Sequence, residues 1–169
     1  MQAQAACRRQ NSSQALANNP KNGADRIPSS GRLLALDLGT KRVGLAVTDE
    51  LQITVTPIDR LERHSWKELL RRVVTLIEGY DARALVIGLP LNMNGSMGAA
   101  AQDAIRIAEN FRKSLNVPVF LQDERLTSSA AEAEMKGRGI AADEIVRRID
   151  SESAAVILRD FLATRGQKE

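Results

Sequence analysis

The sequence predicts an α/β fold in which a five-stranded mixed sheet is covered by helices on both faces. Three observations predict it: strand-like segments follow one another directly after residue 32, later ones alternate with amphipathic helices, and no segment is repeated. The order βββαβαβα requires crossover connections between the later strands, whereas the first three can pair as hairpins. We expect one domain over residues 32–165, after a polar extension of residues 1–31.

The strands are predicted from apolar runs. Residues 33–36 form a continuous run ahead of Asp37, which is typical of a central strand buried on both faces. The other predicted strands cover residues 43–48, 53–56 at an edge before Pro57, 84–89 and 117–121. Asp37 and Glu124 follow the first and fifth strands, so we expect both at the ligand-binding edge of the sheet.

Helices are predicted where apolar residues recur at intervals of three and four. A capping box formed by Ser65 and Glu68 begins the first helix, which should end near Gly79. The other predicted helices cover residues 101–115, a short stretch over residues 129–137, and residues 153–162. Asp150 is expected at or just before the first turn of the last helix, a position where aspartate can cap the helix.

Composition excludes several kinds of site. Aromatic residues make up 3% of the chain, which argues against binding of single strands by rows of stacked bases. A net charge of +3 is compatible with a polyanionic partner and equally with ordinary solubility. Cys7 is the only cysteine in the sequence, so it can form neither an internal disulfide nor a thiolate cage for zinc. The only histidine, His64, is expected at the surface.

Location is predicted from the same features. No apolar run approaches the roughly 20 residues that span a bilayer, so we expect a cytoplasmic protein without membrane contact. Residues 1–31 are polar and basic with a single acid, Asp25, which is typical of a disordered extension. Organelle transit peptides are also basic and acid-poor, so a transit peptide stays open as an alternative.

Three carboxylates could bind a metal ion. Asp37 precedes a Gly-Thr turn, which it could equally cap through backbone amides. Glu124 lies in a charged cluster that could equally be a solvated loop. Asp150 shares a helix face with Ala154 and Ile157, where its carboxylate needs a partner unless it caps the helix. Together they could bind Mg²⁺ or Mn²⁺ for phosphodiester hydrolysis.

Four motifs make the sequence recognisable. They are LALDLGTKRVGLAVTD at 34–49, VIGLPLNMNGS at 86–96, DERLTS at 123–128 and IDSESAAVIL at 149–158. Together they resemble the YqgF family, also called RuvX, over residues 33 to about 163. The resemblance implies a ribonuclease H-like fold related to Holliday-junction resolvases. It also implies a role in maturing the end of the small-subunit ribosomal RNA precursor.

The resemblance assigns roles to residues in these motifs. It implies catalysis and metal binding by three carboxylates, which are Asp37, Glu124 and Asp150. We expect three further side chains to contact substrate phosphates or to hold the loops around the scissile bond: Lys41, Asn92 and Arg125. The expected substrate is structured RNA or branched DNA, and the expected state is a monomer or a weak homodimer.

The position of Glu124 raises a geometric question. The strand that ends in Gly88 lacks the acid that resolvases place there, so Glu124 on a neighbouring strand must substitute. If that strand lies two places from the first, their backbones are about 10 Å apart, and the Glu124 side chain must reach inward. A one-metal site, or Asp123 in place of Glu124, stays open.

Two other functions are compatible with the sequence. The run Asp-Leu-Gly-Thr resembles the phosphate loop of the actin and hexokinase superfamily, but those enzymes close two such domains around a nucleotide and this sequence predicts one. The second is a binding module that keeps the fold without catalysis. The presence of all three carboxylates favours an enzyme.

Overall fold

A computed structural model of the chain describes residues 26–125 and 142–165, with residues 142–150 described by their backbone alone. Its strands are β1 (Arg32–Leu38), β2 (Arg42–Thr48), β3 (Val55–Glu62), β4 (Ala82–Leu89) and β5 (Val119–Asp123). Its helices are α1 (Trp66–Tyr80), α2 (Ala99–Ser114) and α3 (Ala142–Arg165). The predicted α/β class is confirmed. The short helix predicted over residues 129–137, and residues 1–25 of the extension, lie outside the described residues.

The strands form one mixed sheet in the order β3-β2-β1-β4-β5. Neighbours among β1, β2 and β3 are antiparallel, whereas β1 pairs with β4, and β4 with β5, in parallel. The end of the sheet where β1, β4 and β5 finish is called the carboxyl edge below, and the end where they begin is the amino edge. The turn between β2 and β3 therefore lies at the amino edge.

Successive residues of a strand point to opposite faces, so each strand contributes to two cores. The two-helix face packs against α1 and α2 with large side chains, among them Leu34, Leu36, Leu45, Leu85, Ile87, Leu69, Val73 and Phe111. The one-helix face packs against α3 with many small ones, among them Ala35, Ala46, Ala84, Ala154 and Ala155. Helices therefore cover both faces, as predicted.

The predicted boundaries of the third strand are wrong. This strand was expected over residues 53–56, whereas β3 runs from Val55 to Glu62 and includes Pro57. Because β3 is an edge strand, the missing N–H of proline need not interrupt the pairing with β2. Ile53 and Thr54 belong instead to the preceding turn, where their backbone amides donate to Asp49 Oδ1 at 2.7 and 2.9 Å.

The predicted start of the last helix is also wrong. Because α3 begins at Ala142, Asp150 is its ninth residue and cannot cap its N-terminus. The segment before Ser153 contains arginine and glutamate, which favour helices, and Ile145 and Ile149 continue the four-residue spacing. The capping interpretation of Asp150 is therefore excluded.

The first helix has the predicted ends. Ser65 is its N-cap, and the Ser65 hydroxyl oxygen accepts a hydrogen bond from the Glu68 backbone amide at 3.2 Å. The helix ends at Tyr80, one residue beyond the predicted Gly79, and Asp81 takes the left-handed conformation that ends it. His64 is exposed, as expected. Among the described helices, none is long and apolar enough to cross a membrane.

Candidate active site

Asp37 lies near the end of β1 at the carboxyl edge, with its side chain partly buried. It follows Leu36, which points to the two-helix face, so strand alternation turns Asp37 toward the one-helix face. Gly88 follows Ile87, the partner of Leu36 on β4, and therefore points to the same face. The first predicted site residue thus lies beside a central strand that carries no side chain at this level.

Glu124 reaches into the space left by Gly88. A Cβ atom on Gly88 would lie 3.0 Å from Glu124 Oε2 and 2.6 Å from Ile157 Cδ1. The Glu124 backbone follows β5 and donates from its amide to the Leu89 carbonyl at 3.2 Å. The strand order places β4 between β1 and β5, so the carboxylate lies over the strand that separates β5 from Asp37. The predicted inward reach of Glu124 is therefore observed.

The two carboxylates are close enough to affect each other electrostatically. Burial, together with the negative charges of Asp37 and Asp123, raises the pKa of Glu124 to about 7. Without a cation, Glu124 is therefore partly protonated at neutral pH, although an exposed glutamate would be ionised. The two carboxylates concentrate negative charge at the carboxyl edge.

Asp123 is engaged elsewhere. Its carboxylate accepts hydrogen bonds from the Arg125 backbone amide at 3.0 Å and from Arg125 Nε at 2.8 Å. These bonds with Arg125 lower the pKa of Asp123. Strand pairing places Asp123 opposite Leu89, one residue beyond Gly88 and therefore on the other face. The geometry favours Glu124 over Asp123 as the partner of Asp37.

Asp150 lies in α3, and its side chain is outside the described part of the chain. The next residue, Ser151, donates from its hydroxyl to the Ile58 carbonyl at 2.7 Å. Ile58 pairs with Leu45, which pairs with Leu36, the residue before Asp37. Among described side chains, no group of three His, Cys, Asp or Glu residues could hold a metal ion.

Lys41 and its turn are fixed by a residue that the sequence did not single out. Lys41 is exposed between β1 and β2, and its carbonyl accepts a hydrogen bond from the Arg63 amide at 2.8 Å. Arg63 Nη1 donates to the Gly39 carbonyl at 2.8 Å, and Arg63 Nη2 donates to Asp103 of α2 at 2.6 Å. Arg63 thus holds the turn after Asp37 against α2. No local pattern in the sequence indicates these long-range contacts.

Asn92 and Arg125 come together through the loop after β4. The Asn92 amide nitrogen Nδ2 donates to the Ser96 hydroxyl at 2.9 Å, within this loop. Arg125 Nη1 lies 3.5 Å from the position that a Cβ atom on Gly95 would take. The second and third motifs recognised in the sequence therefore meet at the carboxyl edge. Their contact involves Arg125, the residue directly after Glu124.

The comparison with protein families decides the identity. A family model described as "RuvX: Holliday junction resolvase" matches residues 31–164. The chain belongs to the RuvX family. A relative from Roseiflexus sp. (strain RS-1), named "Putative pre-16S rRNA nuclease", is 39% identical over 132 residues, which is 78% of this chain and 94% of the relative. A relative of the same name from Anaeromyxobacter sp. (strain K) is 40% identical over 134 residues, or 79% and 98%.

A solved structure supports the fold of this RuvX chain. RuvC of T. thermophilus, in complex with a Holliday junction substrate, matches with a TM-score of 0.52 over 80% of this chain and 96% of that chain. The two are 13% identical, so the likeness concerns the fold alone. The ribonuclease H-like fold implied by the sequence motifs is confirmed.

Proposed function

We propose that this RuvX chain is a metal-dependent nuclease that hydrolyses phosphodiester bonds in structured RNA, with Asp37, Glu124 and Asp150 as its catalytic carboxylates. One observation carries the proposal: the Glu124 carboxylate lies over Gly88, where it is close enough to Asp37 for their charges to interact. The names of the relatives support the 16S ribosomal RNA precursor as the substrate. The specific role that we propose is processing of its 5′ end in the cytoplasm.

The carboxylate pair fits a divalent cation. Burial and two negative neighbours raise the pKa of Glu124 to about 7, and a bound cation would offset the repulsion between the carboxylates. Carboxylate oxygens are the ligands that Mg²⁺ and Mn²⁺ prefer. Asp37 and Glu124 would hold the ion, and we propose Asp150 as a third ligand. When bound, the ion supplies Lewis acidity that activates water and stabilises the departing oxygen.

The residues around the pair position it and bind the substrate. Gly88 leaves the space that Glu124 occupies, and Ile157 closes that space on the side of α3. Lys41, Asn92 and Arg125 contact phosphates or hold the loops around the scissile bond. In the hydrolysis, a water oxygen bonds to phosphorus, the phosphorus–oxygen ester bond breaks, and a proton passes from the water to the departing oxygen.

A second substrate is favoured by the description of the family model, which names a Holliday junction resolvase. The same carboxylates would then hydrolyse DNA strands at a four-way junction. A module that binds nucleic acid without cutting it is disfavoured, because placing the partly buried Glu124 beside a second carboxylate costs free energy that a cation in a catalytic site would offset.

The test compares cleavage by matched variants. The protein is incubated with Mn²⁺ and an RNA that spans the 5′ end of the 16S sequence, or with a four-way DNA junction. Asp37→Asn and Glu124→Gln should each cut at least ~100-fold more slowly, since each removes a charged ligand from the metal site. The matched control is Asp49→Asn at the amino edge, where an amide oxygen can still accept the hydrogen bonds from the backbone amides of the turn.

Equal cleavage by Asp37→Asn and the unaltered protein, or no cleavage by either, contradicts the proposal. Faster cleavage of the junction than of the RNA, with the same dependence on Asp37, makes DNA the substrate. For Asp150, a folded Asp150→Asn variant that cuts as fast as the unaltered protein would remove it from the metal site.

A further inference from the structure

Two methionines are exposed beside the candidate active site. Among the described residues, the large hydrophobic side chains that are most exposed form two pairs. Met93 (73% exposed) and Met97 (57%) lie in the loop after β4, and Leu51 (70%) and Ile53 (75%) lie in the turn after β2. Single exposed apolar residues are common on protein surfaces. A pair on one loop that borders a candidate active site suggests contact with the substrate.

The methionine loop is held in shape by its own polar groups. The Asn92 backbone amide donates to the Ser96 backbone carbonyl at 2.9 Å, and the Gly95 backbone amide donates to the Asn92 backbone carbonyl at 2.8 Å. Asn94 Oδ1 accepts from the Ser96 amide at 2.9 Å and from the Ser96 hydroxyl at 2.6 Å. These polar side chains bond to one another, while the side chains of Met93 and Met97 remain in solvent. A loop ordered in advance loses less entropy when it binds.

The loop is also joined to the segment that carries Glu124. The Glu124 amide donates to the carbonyl of Leu89, four residues before Met93. On the other side, Arg125 Nη1 lies beside Gly95, which has a φ of +81° and no side chain to displace the guanidinium. A nucleic acid with its scissile phosphate at Asp37 and Glu124 would therefore pass near the loop that carries both methionines.

We propose that Met93 and Met97 insert at an unstacked base step beside the scissile phosphate. The enzyme would then select RNA with an unpaired nucleotide or a branch near the cleavage position over a continuous duplex. Apolar side chains are known to enter base steps, and methionine is flexible enough to fill an irregular gap. The inference deepens the proposed function and rests on it, because it assumes that nucleic acid binds at the carboxylate pair.

The test measures binding without cleavage. Two RNA hairpins are compared, one with a single unpaired nucleotide and one fully paired. Each carries 2-aminopurine, next to the unpaired nucleotide in the first hairpin and at the matching position in the second. Binding is followed with Mg²⁺ in the Asp37→Asn background, which prevents hydrolysis. The fluorescence of 2-aminopurine should rise on binding to the first hairpin, because the base loses its stacked neighbour.

Three double variants separate insertion from other effects. Met93→Ala with Met97→Ala should bind the hairpin with the unpaired nucleotide about 10-fold more weakly, as expected from the loss of buried apolar surface, and should abolish the rise in fluorescence. Its affinity for the paired hairpin should stay within about 2-fold, since phosphate contacts are unchanged. Met93→Leu with Met97→Leu should restore both signals, because leucine conserves volume. Leu51→Ala with Ile53→Ala, at the amino edge, should behave as the parent.

Several results would overturn the inference. One is an equal loss of affinity for both hairpins in the alanine variant, and another is unchanged fluorescence. A third is a loss in the Leu51 and Ile53 variant as large as that in the methionine variant. Because these measurements report binding, a chain that cuts no RNA but shows the predicted fluorescence pattern would contradict the proposed hydrolysis and leave the base-step contact supported.

Discussion

The two faces of the sheet are built from side chains of different sizes. On the two-helix face, leucine, isoleucine and phenylalanine fill the space between the sheet and two helices. On the one-helix face, alanines from β1, β2 and β4 meet alanines from α3, and Gly88 continues this pattern at the carboxyl edge. Large side chains stabilise the first face by burial, whereas small ones on the second let α3 approach and leave room for Glu124. Leu33, Ile157 and Leu158 are also fully buried on the one-helix face, so both faces contribute to stability, but only this face leaves space at the carboxyl edge for Glu124.

The largest loss of stability is expected from a substitution on the two-helix face. Phe111 is fully buried there, and its ring meets Trp66 edge-on with the centroids 4.8 Å apart. Phe111→Ala should lower the free energy of unfolding by ~3–5 kcal/mol, because it removes apolar contact and leaves a cavity. Urea denaturation measures this loss. A change below about 1 kcal/mol would contradict a tightly packed core on the two-helix face.

A smaller effect is expected from filling the one-helix face. Gly88→Ala would place a methyl group 2.6 Å from Ile157 Cδ1 and 3.0 Å from Glu124 Oε2. We expect unfolding to become easier by ~1–3 kcal/mol through overpacking. We also expect RNA cleavage to slow at least ~10-fold as Glu124 is displaced.

A second substitution separates these two consequences. Ile157→Val removes the Cδ1 atom that the new methyl group would meet, but leaves the contact with Glu124. The double variant Gly88→Ala, Ile157→Val should regain stability relative to Gly88→Ala and remain slow in cleavage. Full recovery of cleavage would show that the position of Glu124 over Gly88 does not matter for the chemistry.

The smallest effect depends on pH. The folded chain holds a proton on Glu124 up to a pKa of about 7, whereas the unfolded chain releases it near the ordinary glutamate pKa of 4.5. Stability should therefore fall as pH rises from 4.5 through 7 without added metal. Above pH 7, Glu124→Gln should be more stable than the unaltered protein by ~1–2 kcal/mol. This difference is smaller than the full pKa shift of Glu124 would give, because the side chain is partly exposed and solvent screens its charge.

Metal should reverse that pH effect. Thermal unfolding of both proteins in EDTA, from pH 4 to 8, measures the difference, and the two should converge at pH 4. Added Mg²⁺ or Mn²⁺ should stabilise the unaltered protein more than Glu124→Gln, because the variant lacks a charged ligand. Equal stabilisation of both proteins would remove Glu124 from the metal site.

The sequence was sufficient to predict the fold class and the strands near the site. Continuous apolar runs identify β1 and β4 as buried strands, and the capping box identifies the start of α1. The errors fall where tertiary structure overrides local signals. Pro57 suggested the end of a strand, but an edge strand tolerates proline. The apolar spacing predicted the last helix from residue 153, but α3 begins at Ala142 and includes the charged residues before Asp150.

The candidate site could be predicted only in part. Glu124 was identified from its motif, yet the sequence presented Gly88 as the absence of an expected acid. In the structure the same glycine is what allows a carboxylate from the next strand to occupy that space. Arg63 was missed because its partners, Gly39 and Asp103, are distant in sequence. The position of Asp150 in the site stays a prediction.

The carbonyl of Pro28 accepts hydrogen bonds from Gln52 Nε2 at 3.1 Å and from Arg165 Nη1 at 3.0 Å. The first and last described segments of the chain are thus fastened together at the amino edge. The length of β1, about 20 Å for its seven residues, separates this fastening from Asp37. A bead or a fluorescent reporter attached through either segment would lie at the amino edge. The carboxyl edge, where Asp37 lies, would then face the solution. Single-molecule assays could then follow a nucleic acid without a tether across its path.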